Sequence, residues 1–289
     1  MSTSTVDHLA GGTATPLDAA STGNVRSRGY RDYLRNRRRT RAGVIAAQVL
    51  VLAAVLAFWQ VGADVRLWDP LLTSTPTTIW STFWKLSAQG SLWTNTAVTL
   101  EETLVSFAVA MVAGVVIATA IWWSPFLSRV LDPYLVMGNA MPKTALGPIF
   151  FIWLGSQLSV YGMAISISLI VTILTVTTGF VGVDPDKVKL MRTFGANRRQ
   201  ILVKAVLPGS LPTLLSAVRV NIGLTLVGVI VGEFLSSKAG LGYMILYGGQ
   251  IFDLSQVMTA IVMLVVMSAV LYAVLVGVES LVRRRWRVA

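Results

Sequence analysis

The side chains in this chain that could do chemistry are few and scattered. The sequence has no cysteine and a single histidine, His8. A disulfide framework, thiolate catalysis and a cysteine metal site are therefore excluded. His8 sits in a tail of Ser, Thr, Gly and Ala and is read as solvated. Glu101 and Glu102 form an adjacent carboxylate pair. Neighbouring helix positions point to different faces, so they make no general acid–base pair, and their plain reading is an interfacial position. Glu233 lies near the outer end of an apolar segment. A carboxylate at the bilayer centre costs about 2.5 kcal/mol or more, so Glu233 should face protein or water. It is read as a structural or gating contact near an outer mouth, or as the partner of a nearby cation. Lys143 follows Pro142 inside another apolar segment. Two readings stand for it: snorkelling to the inner interface, or offering a positive charge to an anionic solute.

Two stripes of small and polar residues recur at helical spacing: Ser168, Thr172, Thr175 and Gly179, then Asn221, Thr225, Gly228 and Gly232. They fit the lining of a polar path and equally a helix-packing seam, because small residues let helices approach closely. No cluster of acids, bases and nucleophiles suits a membrane-embedded enzyme.

The elements holding these residues are apolar. The chain is 54% hydrophobic and 13% charged, with a mean hydropathy of +0.69. Soluble domains carry about 25% charged residues. Six segments approach the roughly 20 apolar residues that a spanning helix needs: 43–61, 104–123, 133–154, 161–183, 214–235 and 257–282. The third holds Pro142 and Pro148 and should be kinked. The expected fold is an all-α integral membrane protein with six transmembrane helices in a domain over 43–282.

The net charge is +11. The cations gather at the two chain ends and in one internal loop, not on a face with interleaved aromatics, so a membrane surface fits and a nucleic acid does not. With the N-terminus placed inside, nineteen Lys and Arg fall on the cytoplasmic side and three (Arg66, Lys85 and Lys238) outside. That asymmetry puts both termini in the cytoplasm. Residues 1–42 are expected to be a disordered basic tail and 283–289 a second basic tail. The first apolar run starts too late for a signal peptide and is expected to stay as an anchor. The stretch 62–96, with Trp68, Trp80, Trp84 and Trp93, reads as an interfacial segment on the outer surface.

The inside loop 184–212 is longer than connection alone requires. It is charged but carries Val188, Met191, Phe194, Ile201, Leu202 and Ala205 at helical spacing. Asp184 or Asp186 can cap a first helix. Gly195 can end it, and a second helix from Asn197 should stop near Pro208. Two short amphipathic helices with a glycine turn suit docking into a groove on a partner protein.

Gly195, Ala205 and Leu207-Pro208 match the spacing of the cytoplasmic "EAA" loop of binding-protein-dependent ABC importer permeases. The run from Met191 to Val220 resembles the nitrate, sulfonate, taurine and bicarbonate branch of that family. So do "AMPKTALGPIFFIWLG" ending at Gly155 and "VGEFLSSKAGLGYMI" ending at Ile245. The resemblance extends over 93–285. Where the family usually has Glu-Ala-Ala, this chain has Lys189, Leu190 and Met191, and Ala205 replaces the usual isoleucine.

The resemblance implies a type I ABC importer permease. Its ATPase-coupling loop would include Lys189, Arg192, Gly195, Ala196, Asn197, Arg198, Arg199, Leu207 and Pro208. Its path candidates are Pro142, Lys143, Ser168, Thr172, Thr175, Asn221, Thr225 and Glu233. The implied partners are cytoplasmic ABC ATPase subunits, an extracytoplasmic solute-binding protein and a second permease subunit in a homodimer. The implied site is the bacterial inner membrane. The implied solute is a small anion such as a sulfonate, taurine, nitrate or bicarbonate, or a thiamine-precursor pyrimidine. The chain has no phosphate loop and no Gly-Lys dipeptide, so ATP and magnesium are expected on the partner and no cofactor here. Tyr247-Gly248-Gly249-Gln250 has the look of an ATPase signature but reads as an outer glycine turn. An ATPase-independent channel or secondary transporter is the alternative; it leaves the loop 184–212 without a purpose.

Overall fold

The computed structural model describes residues 28–65 and 74–286. His8, Arg66, Trp68, Arg287 and the tail before residue 28 lie outside the described residues. The side chains of Arg283, Arg284 and Arg285 do too. All regular structure among the described residues is helical. The chain divides into two units, Met1–Phe58 and Trp59–Ala289.

The first unit holds most of α1 (Arg28–Asp64). The helix begins inside the stretch expected to be disordered. Arginine is a good helix former, and a helix already nucleated in the apolar segment extends through such residues at little cost. Leu50 and Phe58 on α1 are exposed, as a lipid-facing helix requires.

The second unit contains α2 (Pro76–Ala88), α3 (Ser91–Trp123), α4 (Pro125–Ala140), a 3-10 turn (Lys143–Leu146), α5 (Gly147–Val181), α6 (Pro185–Thr193), α7 (Arg198–Ile201), α8 (Leu207–Ser236), α9 (Leu241–Gln250) and α10 (Leu254–Trp286). Five stretches are long and apolar enough to cross a membrane: Ala46–Asp64, Ser91–Trp123, Lys143–Val181, Arg198–Ser236 and Leu254–Leu281.

The expected third span, 133–154, is not one helix. Met141 and Pro142 are extended and separate α4 from the 3-10 turn, because a proline disfavours helical backbone in the residue before it. Gly155, at φ 75° and ψ 178°, breaks the helical geometry within α5. Only glycine takes that conformation cheaply. The expected fourth span, 161–183, is the part of α5 beyond this break. The second span also starts earlier than expected, at Ser91.

Antiparallel α5 and α8 form the centre. A Cβ at Gly228 would fall 2.6 Å from the Ala164 Cα, and one at Gly232 would fall 2.8 Å from the Val160 Cα. The backbones meet there with no side chain between them, as small residues allow in membranes. Ser159 donates to Ser236 at 2.7 Å beside the same contact. The third core helix is α3, where Gly114 lies against Thr172. One apolar cluster joins Leu92, Leu226, Leu241, Met244 and Ala260. A second, around Val176, Phe180, Ile201 and Val206, seats the loop at the other end.

In the region read as an outer interfacial segment, α2 is a helix capped by Thr75 and packed on α10 through Ile79, whose carbonyl accepts from Thr259 at 3.4 Å. Trp80 and Trp84 are exposed on it, edge to face with ring centroids 5.8 Å apart.

Candidate functional site

The loop after α5 is a rigid hook built from local signals. Asp184 caps α6, accepting from the Asp186 N–H at 2.9 Å. At the far end, Gly195 (φ +76°) turns the chain. The Gly195 N–H donates to the Arg192 carbonyl at 2.9 Å and the Ala196 N–H to Met191 at 3.0 Å. This is the Schellman pattern, which satisfies the last carbonyls of a helix. Asn197 then caps α7 reciprocally with Gln200: the Gln200 N–H donates to Asn197 Oδ1 at 2.9 Å, and the Asn197 N–H donates to Gln200 Oε1 at 2.8 Å.

The second hook helix does not stop near Pro208 as expected. It widens into a π turn over Leu202–Val206, with the Leu207 N–H bonding the Leu202 carbonyl, and continues into α8. A wide turn just before Pro208 accommodates a residue that has no N–H to give.

Val188 and Met191 rest on the second apolar cluster together with Ala196 and Leu207. Phe194 does not join that stripe as expected. It is 81% exposed, and Leu190, one turn earlier, is 57% exposed. The hook thus presents an apolar pair outward, on the side away from the core. Arg198 ties the hook to α3 by donating to the Trp123 carbonyl at 2.6 Å. Lys189 makes an exposed ion pair with Asp186 at 3.5 Å. Arg192 and Arg199 are exposed, and Pro208 is half-buried.

The polar stripes lie inside the helix bundle. Ser168, Thr172, Asn221, Thr225 and Glu233 are fully buried; Thr175 is half-buried. Thr172, Asn221 and Thr225 each donate to a carbonyl one turn back, while Ser168 Oγ and Asn221 Oδ1 have no partner among the described residues. Gly179 packs on Thr213. Pro142 is exposed and Lys143 half-buried, with its ammonium on the Asn139 carbonyl at 3.1 Å.

Glu233 sits in a built seat. Its Oε1 accepts from Thr99 Oγ1 at 2.7 Å, and its Oε2 accepts from the Gly242 N–H. The Leu241 N–H donates to Thr99 Oγ1 at 2.8 Å, and the Gly240 N–H donates to Asn95 Oδ1 at 2.7 Å. A Cβ at Gly240 or Gly242 would collide with the Glu233 carboxyl. The Gly-Leu-Gly of the sequence is thus the lid of this seat.

Glu102 is not the interfacial group its neighbour suggested. It is 7% exposed, and its Oε2 has no hydrogen-bond partner among the described residues. The missed signal was Thr99, Glu102, Thr103 and Ser106 at helical spacing on α3, all buried. The Gly248-Gly249-Gln250 stretch forms the end of α9.

A bundle of apolar helices around a glycine-pinned pair, carrying a capped hook between its fifth and eighth helices, defines a multi-pass membrane protein of the transport type. The chain belongs to the family "Binding-protein-dependent transport system inner membrane component", whose model matches residues 110–288. It is an ABC transporter permease.

Among curated relatives, it is 27% identical to the riboflavin transport system permease protein RibX of Chloroflexus aurantiacus, over 82% of this chain and 88% of that protein. It is 26% identical to the putative aliphatic sulfonates transport permease protein SsuC of Escherichia coli, over 72% and 80%. It is 24% identical to the taurine transport system permease protein TauC of Escherichia coli, over 83% and 88%. These relatives match the branch resembled by the sequence. Among solved structures, an inward-facing MetNI methionine ABC transporter aligns with a TM-score of 0.56 at 18% identity, over 65% of this chain and 93% of that one. At that identity the likeness shows the fold.

Proposed function

We propose that this chain is the translocation subunit of an ATP-driven importer for a small, anionic solute. The observation that carries the reading is the hook: a doubly capped helical turn anchored by Arg198 that holds Leu190 and Phe194 out to solvent. An exposed apolar pair on a rigid helix is what a groove on another protein recognises, and the family supplies an ATPase as that protein. ATP and magnesium belong to the partner; this chain performs no hydrolysis.

The chain crosses the bacterial inner membrane six times, with both ends and the hook in the cytoplasm. The sixth crossing runs through α4 and the 3-10 turn, and the crossing after it is the part of α5 beyond the Gly155 break. The 19-to-3 bias of cations supports this orientation. A second copy of the chain completes the path, and an extracytoplasmic binding protein delivers the solute. Relatives named for sulfonates and taurine support an anionic solute, and one named for formylaminopyrimidine keeps a thiamine-precursor pyrimidine in view. Exposed Pro142 and half-buried Lys143 are the path candidates within reach of solute; the buried stripes pack the helices that frame it.

The test is co-purification with a candidate ABC ATPase co-expressed with the chain. Wild type should retain the ATPase, and Phe194→Glu should lose it while eluting normally in detergent. Solute flux through the purified chain without any ATPase overturns the reading.

A further inference from the structure

A groove of about 380 Å³ lies behind the hook, between the α3–α4 corner and α6. Its floor is apolar, formed by Phe180, Ile201 and Val206, all buried. Its rim is cationic, formed by Lys189, Arg192 and Arg198, with Trp122 at the α3 end. Lys189 and Arg192 lie on one stripe of α6, and that stripe is not the one carrying Leu190 and Phe194, neither of which lines the groove. Among the described residues, Lys189 pairs with the carboxylate of exposed Asp186, and the Asp184 carboxylate caps the start of α6 beside the groove.

An apolar floor under a cationic rim matches an amphiphile with an anionic head. Free phosphate would use the rim and leave the floor unfilled. The Arg-rich run 26–41 and the C-terminal arginines have the same sign of charge as the rim. Tryptophan at the end of a span marks the headgroup level.

We propose that this groove binds the headgroup and upper chain of an anionic phospholipid from the cytoplasmic leaflet, so that the coupling hook rests on lipid. The proposal relies on the cytoplasmic placement of the hook set out above. Lys189 and Arg192 thereby take a role distinct from contact with the ATPase. Cations near an anionic membrane surface each contribute to such attraction.

Native mass spectrometry of the purified full chain, offered equal phosphatidylglycerol and phosphatidylcholine, reads the preference. Wild type should hold phosphatidylglycerol roughly tenfold over phosphatidylcholine. Lys189→Gln/Arg192→Gln should lose that preference. The charge-matched Lys187→Gln/Arg199→Gln, outside the groove, should keep it. Equal retention of both lipids by wild type overturns the proposal, as does an equal fall in both double variants. Displacement by inorganic phosphate would assign a soluble anion instead, and displacement on adding the ATPase would assign the groove to that protein. The chain has no native cysteine, so Phe194→Cys and an impermeant maleimide on intact cells separate the two readings. Labelling from outside defeats the topology; labelling only after lysis, with no lipid preference, defeats the lipid site alone.

Discussion

Thr99 on α3 donates to Glu233 on α8 at 2.7 Å and accepts the Leu241 N–H at 2.8 Å, so one hydroxyl fastens two spans and the turn between α8 and α9. Thr99→Val keeps the shape and orphans both partners. Each buried orphan costs about 1–3 kcal/mol. Thermal unfolding in detergent should show Thr99→Val clearly destabilised and Thr99→Ser close to wild type. Equal melting of the two variants would remove the hydroxyl from the account.

Glu233→Gln tests the same seat from the other side. An amide nitrogen cannot accept as a carboxylate oxygen does, so either the Thr99 or the Gly242 bond is lost. Uptake by cells and yield of assembled complex should both fall. Unchanged uptake at normal protein level would make Glu233 a bystander.

The meeting of α5 and α8 has no slack. A Cβ at Gly228 would sit 2.6 Å from the Ala164 Cα, a backbone atom that no rotamer change can move. Gly228→Ala should cost about 1–3 kcal/mol through overpacking, and Gly228→Val more. Gly223 has open space around its position, so Gly223→Ala should melt near wild type. A melting series in detergent checks the order.

Gly195 poses the opposite case. Nothing lies within 4 Å of a Cβ there, yet φ is +76°. The penalty for a side chain is therefore conformational, about 1–2 kcal/mol. ATPase activity of the reconstituted complex should decline in the order Gly, Asn, Ala, Val at position 195, with melting of the spans unchanged. A flat series would mean that the turn is not needed for coupling.

Arg219 on α8 and Glu279 on α10 form an ion pair whose carboxylate side is buried. Removing one charge leaves the other desolvated. Glu279→Gln should destabilise by about 1–3 kcal/mol, the partly exposed Arg219 keeping the figure modest. The reversed pair Arg219→Glu/Glu279→Arg should regain part of the loss. A melting cycle with no coupling would mean the pair contributes nothing.

The hook was legible in the sequence because its signals are local. Asp184 before Pro185, Gly195 after Phe194, and Asn197 three residues before Gln200 each satisfy backbone groups within one turn. Features set by distant contacts were not legible. Glu101 and Glu102 are indistinguishable by type, and only the packing of α3 on α8 decides which is buried. Phe194 completes an apolar spacing with Val188 and Met191, but the Gly195 turn swings it outward. The break at Met141 and Pro142 was expected only as a kink, since proline chemistry does not say whether a helix bends or stops.

Gly228 and Gly232 press on Ala164 and Val160 near one end of α5 and α8, and Gly179 presses on Thr213 near the hook end, so the two helices are riveted along their length. Riveted beams cannot slide past each other; they swing together. The 30 residues of α8 reach about 45 Å, so a displacement at the hook end is carried to the far face by the pair moving as one body.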